Sequence, residues 1–343
     1  MIAKTTITET TQVKMQLALK KQFQQWLFNR TSIISLIVLV PTHLCLAKTS
    51  GLFSFADGSS AIWPSSGVFL AALMLFGPKV WLPIFISDWI VCQTLFYHAL
   101  PTSLLISIID TAEVIGASLL MLHFVKRSYP FDRIASTLKY LLRLIPMPLV
   151  SSGLAVAVLS LLGISEWSDF WPVYRGWLCG VLAGEVVITP FLLSTWYSFK
   201  SRRWRLTDIQ LIEFLIVLVL LFVIGLVTFA GTAPIEYVLI FPLIWSAIRF
   251  GPRESTFLAL AMSVFSIYQT LHGHGSFAQS ETAAAAVLLQ SFIAAMTIAT
   301  LVLSAAIQEN RQANGNLREI NEDLEHRVER RTEELTQISH HSQ

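Results

Sequence analysis

Long apolar stretches alternate with short polar segments along the chain, and this alternation predicts helices that cross a membrane. An α-helix needs about 20 mostly apolar residues to span the hydrocarbon core of a bilayer. Ten stretches come close to this length, and they are Thr31–Ala47, Ala61–Gly77, Val80–Ala99, Pro101–Val125, Leu138–Gly163, Pro172–Phe199, Asp208–Gly231, Ile235–Arg249, Arg253–His272 and Ala283–Ile307. The eighth is short and contains Pro242, so eight or nine spans are alternatives. The expected fold is all-α, a polytopic membrane helix bundle of about ten spans.

The composition also indicates a membrane protein. Of the 343 residues, 54% are hydrophobic and 13% are charged, whereas soluble proteins carry about 25% charged residues. So few charges cannot cover a surface that faces water. This excludes a soluble enzyme, a disordered chain and a nucleic-acid binder, and it makes the lipid bilayer the expected partner. Cys45, Cys92 and Cys179 lie in apolar stretches, with a spacing that suits neither a disulfide framework nor a metal site.

The basic residues predict how the chain is oriented in the membrane. With ten spans and the N-terminus inside the cell, 22 of the 24 Lys and Arg residues fall on the inner side. Only Lys48 and Arg175 fall on the outer side. Because basic residues concentrate in the cytoplasmic loops of membrane proteins, both termini are predicted to be cytoplasmic.

The chain divides into a cytoplasmic lead (residues 1–30), a membrane domain (31–307) and a cytoplasmic linker (308–343). In the lead, one helical face is apolar and has lysines beside it; this face consists of Met15, Leu19, Phe23, Trp26 and Leu27. Such a pattern predicts an interfacial helix on the inner leaflet. A disordered lead is the alternative.

The linker shows a seven-residue repeat that is typical of a coiled coil. One set of core positions is Leu317, Leu324, Arg331 and Ile338, and the other is Asn321, Val328 and Leu335. A polar residue such as Asn321 within the core favours a two-stranded coil in a fixed register. We therefore expect a parallel homodimer that continues from the last span, with Leu317, Asn321, Leu324, Val328 and Leu335 as its signal-relay positions. A solvated single helix is the alternative.

Four acidic residues are predicted to lie near the middle of the membrane. They are Asp88 in the third span, Asp110 and Glu113 on one face of the fourth, and Glu185 in the sixth. A charged side chain at the bilayer centre costs about 2.5–3.5 kcal/mol on insertion scales. The four are therefore candidates for a ligand-binding or proton-sensing site between helices, with Asp110 and Glu113 as the strongest pair. Hydrogen bonds that hold helices together are the alternative.

Familiar catalytic motifs do not occur in the sequence. There is no phosphate-binding Gly-rich loop with its Lys, no His-Glu-x-x-His helix and no Gly-x-Ser-x-Gly turn. We expect no catalytic residue, no cofactor and no metal in this chain.

Several short motifs occur in an order that is typical of one family of signalling domains. They are Trp63-Pro64-Ser65-Ser66-Gly67, Phe76-Gly77 with Trp81, Asp110 with Glu113 and Gly116, Phe131-Asp132-Arg133, Trp177 with Gly180, Gly184 and Thr189-Pro190, Trp245-Ser246-Ala247-Ile248-Arg249-Phe250-Gly251-Pro252, and Gly273-His274-Gly275-Ser276-Phe277. Over about Ile62 to Ile307 the chain resembles the membrane-associated sensor domain, type one, an integral-membrane input module of bacterial signalling proteins. The family usually has an amide in place of Asp110 and an acid in place of Val181.

The resemblance implies sensing across a bacterial inner (plasma) membrane. It adds Trp63, Pro64 and Arg249 to the candidate ligand or proton-sensing residues. The stretch Leu324–Leu335 resembles the linker that precedes many sensor histidine kinases. The implied partner is thus a cytoplasmic output domain, a histidine kinase of a two-component system or a diguanylate cyclase, either in a longer native protein or as a separate chain.

We predict a sensory input module that transmits a stimulus through its last span and coil. A small-solute or proton-coupled transporter or channel is one alternative, because it would also need many spans and acids within the membrane. A dimerising membrane anchor is another.

Overall fold

The computed structural model describes residues 30–52, 60–124, 129–201, 206–279 and 282–341, and the elements in these ranges are all helices. The α-helices are α1 (Arg30–Leu52), α2 (Pro64–Phe76), α3 (Trp81–Val91), α4 (Leu100–Phe124), α5 (Ile134–Leu144), α6 (Pro146–Leu161), α7 (Phe170–Lys200), α8 (Asp208–Phe229), α9 (Ile240–Arg249), α10 (Pro252–Leu271) and α11 (Thr282–His341). Short 3-10 turns cover Pro78–Val80, Trp167–Asp169, Glu236–Leu239 and Phe277–Gln279, and a π-helical turn covers Cys92–Phe96. The predicted all-helical bundle is confirmed.

Seven of the ten predicted spans are long and apolar enough to cross a membrane. These seven are Thr31–Gly51, Pro78–Phe96, Leu100–Met121, Ile134–Leu161, Trp167–Lys200, Asp208–Phe229 and Ala284–Thr332. The other three predicted spans form α2, α9 and α10. With 13 and 10 residues, α2 and α9 are about 20 Å and 15 Å long, which is less than the roughly 30 Å of hydrocarbon. α10 is long enough, but its buried face is rich in Ser, Thr and Gln.

Prolines divide the predicted spans more finely than the apolar pattern did. The fifth predicted span begins earlier, at Ile134, and consists of two helices that meet at Ile145–Pro146. Proline has no N–H group and suits the first position of a helix, which explains why α6 begins there. Pro64 and Pro252 begin α2 and α10 in the same way.

α7 is the central helix of the bundle, because it packs against α2, α5, α6, α10 and α11. Its crossing with α2 is close: a Cβ at Gly184 would overlap the backbone of Trp63, and a Cβ at Gly67 would overlap the backbone of Gly184. The Trp63 N–H donates to the Gly180 carbonyl over 2.9 Å. The Thr189 hydroxyl donates to the Gly67 carbonyl, also over 2.9 Å. Close backbone approach at small residues is a common way to join helices in membranes.

The last helix, α11, has 60 residues and is therefore about 90 Å long. Residues such as Leu289, Ile293 and Leu301 are buried in the bundle, whereas residues 312–332 are exposed. The predicted continuity between the last span and the linker is therefore present. Leu317, Leu324 and Val328 are 57%, 52% and 64% exposed in the single chain. This leaves their side chains available to a second copy, and the dimer stays a prediction.

Two parts of the sequence interpretation lie outside the described residues. The interfacial helix was predicted within residues 1–30, of which only Arg30 is described, as the start of α1. Leu335 lies on α11, but its side chain is not among those described.

Candidate functional site

The four acids predicted near the middle of the membrane lie in one row, which we call the acid row. Asp88 of α3 interacts electrostatically with Asp110 of α4, and Asp110 interacts with Glu113 on the same helix. Glu113 in turn interacts with Glu185 of α7. Asp88, Glu113 and Glu185 are buried and Asp110 is half-buried. The sequence placed these residues at a similar depth, and the structure adds that they are neighbours; their role stays a prediction.

Asp88 lies at one end of the acid row, next to His43 of α1. The His43 Nε2 atom is 3.9 Å from the Asp88 Oδ1 atom, and the Cys92 thiol donates to Oδ2 over 3.6 Å. The Ser87 hydroxyl lies between two partners, the Leu39 carbonyl at 3.2 Å and Nδ1 of His43 at 3.3 Å.

Glu185 lies at the other end of the acid row, at the centre of the bundle. Both of its carboxyl oxygens, and Oε1 of Glu113, have no hydrogen-bond partner within the described residues. The Tyr140 hydroxyl of α5 donates to the Glu185 backbone carbonyl over 3.0 Å. Unpaired polar atoms are costly to bury, and this end of the row therefore has unsatisfied hydrogen-bonding capacity.

Trp63 and Pro64 lie close to the Asp88 end of the row. The Trp63 ring is 6.4 Å from the His43 ring, edge to face, and 5.7 Å from the Phe96 ring. Phe69 closes another side of His43, with ring centroids 4.8 Å apart. Trp63 therefore helps to enclose His43, and Pro64 begins the helix that carries Phe69.

Arg249, in contrast, is not brought to the acid row. It forms a two-point ion pair with Glu213 of α8, with Nε 2.5 Å from Oε2 and Nη2 2.9 Å from Oε1. Both side chains are partly exposed. Arg249 therefore connects the end of α9 to α8.

A second polar site surrounds the point where α11 leaves the bundle, and we call it the exit site. Glu309 Oε2 accepts from the Ile134 N–H over 3.1 Å, at the start of α5. Arg311 donates to the carbonyls of Phe250 and Ile248 over 3.0 and 2.5 Å, at the end of α9. An acid at a helix N-terminus and a base at a C-terminus both suit the helix dipole.

Asp132 belongs to the surroundings of the exit site. Burial raises the pKa of its carboxyl, and the neighbouring Glu309 adds to this rise, while Arg133 acts in the opposite direction. The Phe131-Asp132-Arg133 motif of the sequence thus lies beside α11.

Several residues of these sites were missed by the sequence interpretation. His43 lies in a mostly apolar stretch, Tyr140 lies next to Lys139 in the predicted fifth span, and Glu309 and Arg311 lie in a segment assigned to the charged linker. Glu236 is a further buried acid: its Oε1 accepts from the Ser276 N–H over 2.6 Å. No signal in one sequence marks these residues as neighbours, because each contact joins segments that are far apart in the chain.

The described ranges do not offer a metal site. They contain no group of three or more His, Cys, Asp and Glu side chains arranged to hold an ion.

The comparison with protein families gives one match. The model of MASE1, a membrane-associated sensor domain found in histidine kinases and diguanylate cyclases, matches residues 33–311. The matched range begins in α1 and ends at Arg311, so it includes both the acid row and the exit site. No curated protein and no solved structure matches the chain.

Proposed function

The chain belongs to the MASE1 family of membrane sensory input domains, and we propose that α11 carries its signal from the membrane bundle to a cytoplasmic output domain. The observation that supports this step is the continuity of α11. One helix is buried among the other helices, passes the exit site and continues as an exposed rod with a heptad repeat. A change in how the bundle packs against this helix would change the position or rotation of the helix along its whole length.

The proposed output is a histidine kinase of a two-component system, with a diguanylate cyclase as the other candidate. Both are proteins in which the family occurs, and the Leu324–Leu335 stretch favours the kinase. The heptad repeat supports a homodimer, and the distribution of basic residues supports cytoplasmic termini in a bacterial plasma membrane.

The exit site is the proposed point of control. Glu309 and Arg311 fix α11 to the start of α5 and the end of α9, so that α11 cannot shift without breaking or exchanging these bonds. Because these hydrogen bonds are exposed or only partly buried, each is expected to contribute about 1 kcal/mol, which is at the lower end of the coupling energies of known switches. A stimulus that moves α5 or α9 would therefore move α11.

Loss of either exit-site contact is expected to change the output. We expect Arg311→Gln and Glu309→Gln, each in the full chain fused to a diguanylate cyclase, to change cyclic di-GMP production by about 5–10-fold. Both should change it in the same direction, because both release the same helix. The measurement is the dinucleotide level in cells at equal membrane abundance.

Matched controls lie on the exposed part of α11. Arg318→Gln and Glu319→Gln remove the same charges where both side chains are exposed, and they should leave the output within about twofold. If all four variants behave alike, or if the two exit-site variants have opposite effects, control at the exit site is wrong.

A transporter is the second candidate, because the acid row joins three helices within the membrane. Proteoliposomes that contain the chain would then carry protons or a small solute, and the combined Asp110→Asn and Glu113→Gln variant would abolish this flux. A membrane anchor would instead keep full signalling after an unrelated dimeric span replaces the bundle.

A further inference from the structure

The end of the acid row with unpaired carboxyl oxygens consists of Glu113 on α4 and Glu185 on α7. Their side chains are 6% and 0% exposed, and three of their four carboxyl oxygens have no hydrogen-bond partner in the described part of the chain. We propose that this pair is a proton-binding site that shares one exchangeable proton, and that its occupancy is the condition which the module reports. The second half of this statement rests on the function proposed above.

The chemistry of two buried carboxyls requires a proton. Two carboxylates at close range repel each other, and neither can be solvated by water inside the bundle. When one proton is taken up from water, it forms an O–H bond on one carboxyl and a hydrogen bond to the other, and the pair loses one negative charge. Release returns the proton to water and restores the repulsion. A proton also needs no cavity between closely packed helices.

Within the described residues, the groups that act on the two carboxyls are the carboxyls themselves. Asp110 on α4 adds a further acid, with Asp88 of α3 behind it. On α5, the Tyr140 hydroxyl donates to the Glu185 backbone carbonyl. The same helix carries two cations, the exposed Lys139 and the half-buried Arg143. The helices α2 and α6 and residues 284–307 of α11 contain no acidic, basic or histidine residue. The charged residues of α10 pair with each other at its start, as Arg253 with Glu254.

α5 connects this pair to the signalling helix. Tyr140 touches Glu185 near the middle of the bundle, and the Ile134 N–H at the start of the same helix donates to Glu309 of α11. Tyr140 also packs in one hydrophobic cluster with Leu301 of α11. If loss of the proton pushes Glu113 and Glu185 apart, α5 moves with Glu185 and changes the contact at Glu309.

The proton itself is tested by infrared difference spectroscopy on the full chain in lipid nanodiscs. Between about pH 5 and pH 9, a range that spans the shifts of buried carboxyls, we expect a C=O stretching band of a protonated carboxyl that appears on acidification. Glu185→Gln should remove it, and Glu113→Gln, which replaces the other partner, should remove or shift it. Glu236→Gln, a buried acid outside the row, should leave the band in place.

The regulatory step is tested with the same variants fused to the diguanylate cyclase. The wild-type output should change by about 5–100-fold across the pH range, whereas the output of Glu185→Gln and of Glu113→Gln should change by less than about twofold. Gln imitates the neutral carboxyl, so both variants should stay near the output of the acid-loaded wild type. The double variant should resemble the single ones, because one proton serves both residues.

Three results would overturn the proposal. The first is the absence of any band that depends on Glu113 and Glu185. The second is an unchanged pH response in both variants; if Arg311→Gln still alters the output, only the proton site is wrong, and if it does not, the proposed function fails as well. The third is proton flux through proteoliposomes that Glu185→Gln abolishes, which would assign the pair to transport.

Discussion

Insertion of two residues after Asn314 is expected to change the output of a fused cyclase or kinase by about 5–100-fold. Each added residue turns the following helix by about 100°, so that two residues turn the heptad seam to nearly the opposite side. The insertion lies beyond the exit site and before Leu317, where α11 is exposed in the described part of the chain. Packing of the bundle should therefore be unaffected. Only the rotation of the heptad seam about the helix axis, relative to the bundle, should change.

The matched control is an insertion of seven residues at the same point. Seven residues complete almost two turns, which restores the original phase to within about 20° while it lengthens the helix. This variant should keep an output within about threefold of the uninserted fusion. Output is measured at equal membrane abundance. If both insertions leave the output unchanged, the helix does not transmit a signal and the anchor alternative gains support.

The second large effect is expected at the crossing of α2 and α7. Gly184→Ala places a methyl group against the Trp63 backbone, which cannot move aside as a side chain can. Overpacking typically costs about 1–3 kcal/mol and more where a rigid contact must open, so we expect a loss of about 3 kcal/mol or failure to reach the membrane. The measurement is the fraction of monodisperse protein after heating in detergent.

Two other glycines provide the same change with different surroundings. A Cβ at Gly180 would lie 3.4 Å from the Ser60 carbonyl oxygen, and one at Gly153 would lie 3.6 Å from the Tyr174 ring. We expect Gly180→Ala to be intermediate and Gly153→Ala to match or slightly exceed the wild type, because Ala favours a helix over Gly. If Gly184→Ala and Gly153→Ala are equally stable, α2 and α7 can move apart at their crossing without loss of stability, and the prediction is wrong.

The sequence predicts the helices well because a membrane sets a length that apolar stretches must meet. It also predicts a depth for each acid, since depth follows from the number of residues between Glu185 and the end of its span, and this depth stays a prediction. It also predicts that Asp110 and Glu113 share a face, because they are three residues apart on one helix. These are properties of single helices.

Contacts between helices are what the sequence does not predict. Arg249 was expected among the candidate site residues and instead pairs with Glu213, since nothing in the apolar pattern tells which helix lies beside the end of α9. The acid row forms because α4 packs against α3 and its Glu113 side chain reaches Glu185 of α7, an arrangement that follows from packing. Glu309 and Arg311 belong by composition to the linker, yet their contacts belong to the bundle.

The length of α11 has a mechanical consequence. From Arg311 to His341, the helix extends for about 45 Å beyond the last contact with the bundle that the exit site makes. A tilt of about 5° at the exit site would displace the far end of this helix sideways by about 4 Å. If α11 transmits the signal as proposed, a rearrangement of the exit-site hydrogen bonds would therefore produce a much larger movement at the cytoplasmic end.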